Sequence, residues 1–251
     1  MRLLAFDTST DTMSVAVASD TGAVPGVWHT TGAGGAQASG RLIPVILDLM
    51  ARAGLTFAQL DAIVFGRGPG AFTGLRTACS VAQGLGFGTQ GRADGQPVPL
   101  LPVDTLLAVA EEARQRHAPG NQPLHVFAML DARMDQIYAA AYGFNGVDWR
   151  RHGDIRLDRP ENLLLDTAWG PADCVLAGNV FAAYGERLVW GAGLARVEAL
   201  PTAGAMLRLA PALLAAGQAV IPELALPLYI RDKVAQTSFE RAAAKAAVPS
   251  P

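Results

Sequence analysis

The sequence predicts two α/β lobes built from a duplicated mixed-sheet domain, and three observations carry that reading. The chain opens with a buried strand, Leu3-Leu4-Ala5-Phe6, then an acidic and hydroxyl turn, Asp7-Thr8-Ser9-Thr10-Asp11, then a second strand from Met13 to Ser19. The same pattern returns as Val126-Phe127-Ala128-Met129-Leu130, Asp131-Ala132-Arg133-Met134-Asp135 and Gln136 to Tyr142. That offset sets Asp131 on Asp7 and Asp135 on Asp11, the mark of an internal copy. Each half then alternates helix-compatible stretches with strands, which suits mixed-sheet lobes of the ribonuclease H or actin-like type.

The elements follow in order. A third strand fits Val24 to Thr30, and Gly32 to Gly35 reads as a flexible loop. Helix Arg41–Ala53, strand 61–66 and helix 72–87 continue the first half. Strand 97–103 and helix 104–117 make the crossing. In the second half, strand 172–177 precedes a helix near Phe181–Val189; a last helix fits Ala203–Ala216, and Pro222 to Arg231 looks extended. The expected domains are an N-terminal lobe over 1–103, completed by the helix near 203–216, and a smaller lobe over 104–202. Residues 203–239 supply the last helix and extended segment, and the Ala-rich tail 240–251 reads as disordered.

Composition narrows the function. A chain of 251 residues with 51% hydrophobic and 17% charged residues has ample core, and surplus apolar area for a partner to cover. Net charge is −2 and the only lysines are Lys233 and Lys245, so no basic run marks a nucleic-acid surface; Arg150-Arg151 reads as solvated surface. Cys79 and Cys174 lack metal-ligand spacing and read as small buried side chains. Arg2 leads into a short apolar run that meets Asp7, which is no signal peptide, and no apolar stretch is long enough to span a membrane. The expected location is a reducing cytosol.

Two stretches hold candidate chemistry. Gly66-Arg67-Gly68-Pro69-Gly70-Ala71-Phe72-Thr73-Gly74-Leu75-Arg76 links an apolar strand to a helix through a glycine-rich loop. Such a loop suits an anion, because free N–H groups converge. No Lys-Ser/Thr pair follows, so it is no Walker loop, and a tight structural turn explains it equally well. Asp7 is the best acid for a magnesium-nucleotide site, with Thr8, Ser9, Gly68, Gly70, Thr73 and Arg76 around it; capping its own turn is the competing role. Arg76 is expected in a structural ion pair with Asp7 or Asp131. His29, His117, His125 and His152 form no metal-binding pair, and no Gly-x-Ser-x-Gly elbow marks a serine nucleophile.

The helix at 41–53 carries too much apolar face. At 100° per residue, Arg41, Asp48 and Arg52 share one narrow stripe, while Leu42, Ile43, Val45, Ile46, Leu47, Leu49 and Met50 spread over roughly 200°. One side suits the sheet; the other calls for a partner. Gly74, Ala78, Ala82 and Gly86 give the next helix a face of small residues, which packs on its own sheet or meets that same partner. Pro44 fits if it lies in the first turn.

These residues resemble one family closely. Asp7-Thr8-Ser9-Thr10, Gly68-Pro69-Gly70-Ala71-Phe72-Thr73-Gly74-Leu75-Arg76 and Asp131-Ala132-Arg133-Met134 look like the TsaB (YeaZ) family of bacterial tRNA threonylcarbamoyladenosine biosynthesis proteins. The match runs on through Gly178-Asn179 to Pro227-Leu228-Tyr229-Ile230-Arg231-Asp232. The resemblance implies an actin-like fold and a role in placing threonylcarbamoyl on the adenosine beside the anticodon of ANN-decoding tRNAs. It implies a non-catalytic partner of the metal-holding paralogue TsaD, joined by the ATPase TsaE. It implies self-association through the N-lobe helices when TsaD is absent, no cofactor of its own beyond weak Mg-ATP or ADP at the partner contact, and tRNA met only through the complex. One departure stands out: the family's His-Ser-Glu-Arg before Leu-Leu-Pro is here Ala38-Ser39-Gly40-Arg41-Leu42-Ile43-Pro44, lacking both the histidine and the glutamate. A small actin-like kinase using Asp7 and the glycine loop is the alternative.

Overall fold

Alternation along the opening strand decides the first layer. In the computed structural model, which describes residues 1–20, 26–89, 95–165, 174–188 and 193–231, β1 (Arg2–Asp7) is the middle strand of five. It turns Leu4 and Phe6 to one face of the sheet and Leu3 and Ala5 to the other. β2 (Thr12–Ser19) and β3 (Gly26–Ala33) extend the sheet antiparallel on one side. β4 (Ala62–Gly68) and β5 (Leu100–Asp104) extend it parallel on the other, giving the order β3-β2-β1-β4-β5.

A second sheet repeats this plan. β6 (Leu124–Asp131) pairs antiparallel with β7 (Ile137–Phe144), which pairs antiparallel with β8 (Trp149–Asp158). On its other side β6 runs parallel to β9 (Cys174–Gly178), and β9 to β10 (Ala195–Glu198). Read from the β8 edge, the order β8-β7-β6-β9-β10 matches the first sheet strand for strand. The copy visible in the two acidic turns thus extends to the topology of the whole sheet.

Helices cover these faces unequally. α1 (Ala38–Arg52) and α2 (Phe72–Gly88) bury Leu4, Phe6, Ile63 and Phe65, while α5 (Ala203–Ala215) covers the opposite face with Met206, Leu209 and Ala210. α3 (Thr105–His117) lays Leu106, Val109, Ala110 and Ala113 on one face of the second sheet. The other face, bearing Phe127, Met129, Ala139 and Ala141, is covered among the described residues by Leu163, Val180, Leu188 and the four-residue α4 (Phe181–Tyr184).

A buried polar clasp joins α3 to α5. Glu111 accepts hydrogen bonds from Arg114 Nε (2.9 Å), Arg208 Nε (2.7 Å) and Trp149 Nε1 (3.1 Å). Beside it, Glu112 accepts from Thr202 Oγ1 (2.8 Å) and Arg208 Nη2 (3.0 Å). Burial pushes both carboxyls up, but the hydrogen bonds more than offset it and hold both below the usual range.

Several sequence expectations are corrected. β8 and β10 were not foreseen: β8 is polar along most of its length and β10 has only four residues, so neither shows a strong hydrophobic period. α1 starts at Ala38, which places Pro44 in the second turn, not the first. Gly32 and Ala33 close β3 instead of opening a loop. Pro222–Leu224 is a 3₁₀ turn, not extended chain. Val24, Val189 and the tail 240–251 lie outside the described residues. Cys79 and Cys174 are free and buried. Among the described residues no helix is long and apolar enough to cross a membrane, and no group of three metal-ligating side chains forms.

Candidate functional site: the cleft between the lobes

The duplication brings its two acidic turns face to face. Ser9, Thr10 and Asp11 from the first and Asp131 and Arg133 from the second line a cavity of about 140 Å³, with Gly70 between them and Asn179 at the end of β9. Arg133 spans the gap, pairing with Asp11 across the cleft and with Asp131 Oδ2 at 3.3 Å in its own turn. Both partners on the cleft side are exposed, so the pair orients the turns more than it stabilises them. Asp131 Oδ1 also accepts from the Arg133 backbone N–H (2.8 Å) and Tyr184 Oη (3.0 Å). Arg133, Met134 and Asp135 all adopt positive φ, at 59°, 54° and 61°. Such a left-handed run is rare for side-chain-bearing residues and concentrates where geometry is imposed by function.

Asp7 is turned away from this cavity. It is fully buried, and its Oδ1 accepts from Ser9 N (2.9 Å) and Ser9 Oγ (2.7 Å), closing the turn. Its Oδ2 has no hydrogen-bond partner. A Cβ on Gly66 would fall 1.9 Å from that oxygen, with the Met206 methyl also in contact range, so only glycine lets β4 pass. Burial, partly countered by Ser9, pushes the Asp7 carboxyl up to about 6. A magnesium ion wants several oxygens at short range, and these residues do not fit one: one oxygen is spent on Ser9 and the other is sealed by apolar atoms.

The glycine loop is likewise committed inward. Ala71 N donates to the Ser9 carbonyl (2.7 Å) and Thr8 Oγ1 donates to the Gly74 carbonyl (2.7 Å). A Cβ on Gly74 would sit 1.8 Å from the Thr8 carbonyl oxygen, so this glycine exists for helix–turn contact. Gly68 and Gly70 hold the loop between, and Thr73 receives Thr77 Oγ1 on its carbonyl (3.0 Å). The expected ion pair of Arg76 is corrected: its guanidinium stacks 3.7 Å above the Phe72 ring, and Nε donates to Tyr229 Oη (3.1 Å). Tyr229 belongs to a late strap, 227–231, whose place against the glycine loop no local pattern foretells. Leu228 N donates to the Arg67 carbonyl (2.7 Å), and Arg231 reaches the Ala132 carbonyl (3.0 Å) across the cleft.

The candidate partner face is also redrawn. Leu42, Ile46, Leu49 and Met50 lie in the first lobe's own core, as do Ala78 and Ala82, and Gly74 packs on Thr8. None of these can meet a second chain. Val45 is half-buried, whereas Ile43 is 47% exposed and Leu47 51% exposed. The roughly 200° apolar arc therefore divides: most of it faces the sheet, and a narrow strip through Ile43 and Leu47 faces out. Ala38, standing where the resembling family has histidine, is buried in the same core, and Gly40 is exposed.

Two five-stranded mixed sheets of identical order, meeting at paired acidic turns, define a two-lobed protein of the actin-like class. Residues 35–189 match the family profile described as TsaD, tRNA N6-adenosine threonylcarbamoyltransferase. The tRNA threonylcarbamoyladenosine biosynthesis protein TsaB of Escherichia coli K12 is 32% identical over 240 residues, 94% of this chain and 96% of that protein. Its Haemophilus influenzae counterpart is 31% identical over 245 residues, 93% and 95% of the two chains. The solved structure of YeaZ from Pseudomonas aeruginosa superposes with a TM-score of 0.77 at 35% identity, covering 91% of this chain and 99% of that one. The chain belongs to the TsaB (YeaZ) family of the TsaD-related proteins.

Proposed function

We propose that this chain is a non-catalytic subunit in the attachment of threonylcarbamoyl to the adenosine beside the anticodon of ANN-decoding tRNAs. It docks on a TsaD paralogue in the cytosol, with the TsaE ATPase joining the pair, and self-associates through the same face when alone. The names of its full-length relatives support the pathway. The carrying observation for the subunit role is how the polar groups of the first lobe are spent: Ser9 bonds Asp7, Ala71 bonds Ser9 and Thr8 bonds Gly74, while the remaining Asp7 oxygen is buried beside Gly66 and Met206. Meanwhile α1 offers water two large aliphatic side chains, Ile43 and Leu47. The reading assigns the chain no cofactor of its own and leaves any Mg-ATP or ADP to the partner contact. A kinase built on Asp7 has less support, since its carboxyl is fully buried and faces away from the cleft cavity, which at about 140 Å³ is itself below the ~300 Å³ at which ligand pockets begin.

Co-expression with a tagged TsaD paralogue tests the docking face. Ile43→Glu and Leu47→Glu should each lose co-purification by at least tenfold while keeping the far-ultraviolet spectrum and melting temperature of the parent. Undiminished recovery of both variants would remove α1 from the contact. In cells depleted of this chain, threonylcarbamoyladenosine measured in digested tRNA should fall, and the parent chain should restore it.

A further inference from the structure

The register of β8 against β7 sorts the cations of Trp149-Arg150-Arg151-His152-Gly153-Asp154-Ile155-Arg156. Gly143 faces Arg150, Ala141 faces His152 and Ala139 faces Arg156. Paired residues share a face, so Arg150, His152 and Arg156 stand on the Phe127 and Met129 side of the second sheet, beside one glycine and two alanines of β7. The register slips between Ala139 and Ala141, so three residues of β8, 153–155, stand against the single Ala140. Arg151 takes the opposite side, where Asp104 Oδ2 holds it at 2.9 Å. His125, across Gly143 on β6, brings a second imidazole, 6.1 Å from that of His152 between ring centroids.

Small β7 residues leave the long side chains standing around a space. A cavity of about 640 Å³ opens there, its lining including Arg150, Arg151, His152, Arg156 and Leu164, with Asp154 the single carboxylate among the lining residues. Among the described residues neither Arg150 nor Arg156 makes an ion pair; Arg156 donates to the Leu164 carbonyl and lies 5.6 Å from the Phe127 ring centre. Net charge conceals this concentration, because most other arginines are matched: Arg133, Arg187 and Arg208 each hold two acids. Guanidinium groups recognise phosphate through paired N–H donors, and such contacts position a nucleic acid without reading its sequence. Their β7 partners Gly143, Ala141 and Ala139 are two apart and so ~6.7 Å apart along the strand, which sets Arg150, His152 and Arg156 at steps that suit successive phosphates of one backbone.

We propose that this trough binds the phosphate backbone of an RNA strand, Arg150 and Arg156 each meeting a phosphate with His152 between them. The inference rests on the tRNA-modification reading and adds a direct contact to it. Fluorescence anisotropy of the full chain with a labelled, unmodified tRNA transcript, titrated from low to moderate salt, tests it. The Arg150→Ala/Arg156→Ala double variant should bind at least tenfold more weakly, with the slope of log affinity against log salt reduced by about 1.5 to 2. Arg150→Lys/Arg156→Lys should keep most of that slope, and Arg52→Ala on the other lobe should change neither quantity. No tRNA binding by the parent, or an unchanged slope in the alanine variant, overturns the proposal. Weakened ATP binding by the alanine variant, with tRNA binding intact, would hand the trough to free nucleotide phosphates. Loss of TsaD co-purification with tRNA binding intact would hand it to a protein contact. Cellular threonylcarbamoyladenosine separates the two readings: if the parent chain supports it while the slope is unaffected, only the trough proposal fails.

Discussion

Asp7 shows how one residue can look functional in sequence and be structural in space. A carboxyl ending the first strand beside a glycine loop invites a metal, yet the side chain points into the α5 face and closes a turn. Its raised pKa has a definite sign. Stability from the protonated form is fully present below 3.8 and is lost as pH rises through about 6, a change on the order of 3 kcal/mol. Asp7→Asn cannot ionise, so its melting temperature relative to the parent should rise by several degrees between pH 5 and pH 8, as paired thermal melts would record. Gly74→Ala should cost about 3 kcal/mol or more in denaturant melts, because its Cβ would lie 1.8 Å from a backbone oxygen. The sequence marked this turn as a place of unusual geometry, since glycine and aspartate at a strand end are few, but of the residues it singled out around Asp7 only Ser9 and Gly70 line the cavity. It could not tell which way Asp7 turned, because that depends on Met206, far along the chain.

At the scale of the element, α1 shows where periodicity stops being informative. A helical wheel counts apolar positions but cannot say how wide a groove the sheet and α2 provide. The groove takes Leu42, Ile46, Leu49 and Met50 and leaves Ile43 and Leu47 outside. Leu42→Ala should therefore lower stability by about 2 to 5 kcal/mol, whereas Leu47→Ala should change it by less than about 0.5 kcal/mol. Chemical denaturation of the two variants checks the division directly. Strongly periodic elements, β1, β2, β6, β7 and α2, were legible because apolar runs and glycine punctuation agree. β8 was not, since an edge strand with a solvated face needs no hydrophobic alternation, and its meaning came only with its register against β7.

Across the whole molecule, the clasp of Glu111 and Glu112 with Arg208 ties α3, which lies on the second sheet, to α5, which lies on the first. Both carboxyls are held low, so their stabilisation is present above the ordinary glutamate pKa of about 4.5 and fades as pH falls below it. Glu111→Gln should cost about 3 kcal/mol by leaving two guanidinium groups short of charge, and should flatten the acid limb of the stability profile. The two-lobed plan was readable from two aspartates repeated at one offset between matching strands; the clasp was not, because its members are about 90 positions apart and belong to no motif. A tie between helices of opposite halves has a mechanical consequence. Arg208 is gripped by both Glu111 and Glu112, so the halves can swing apart only by first pulling a cation away from two anions.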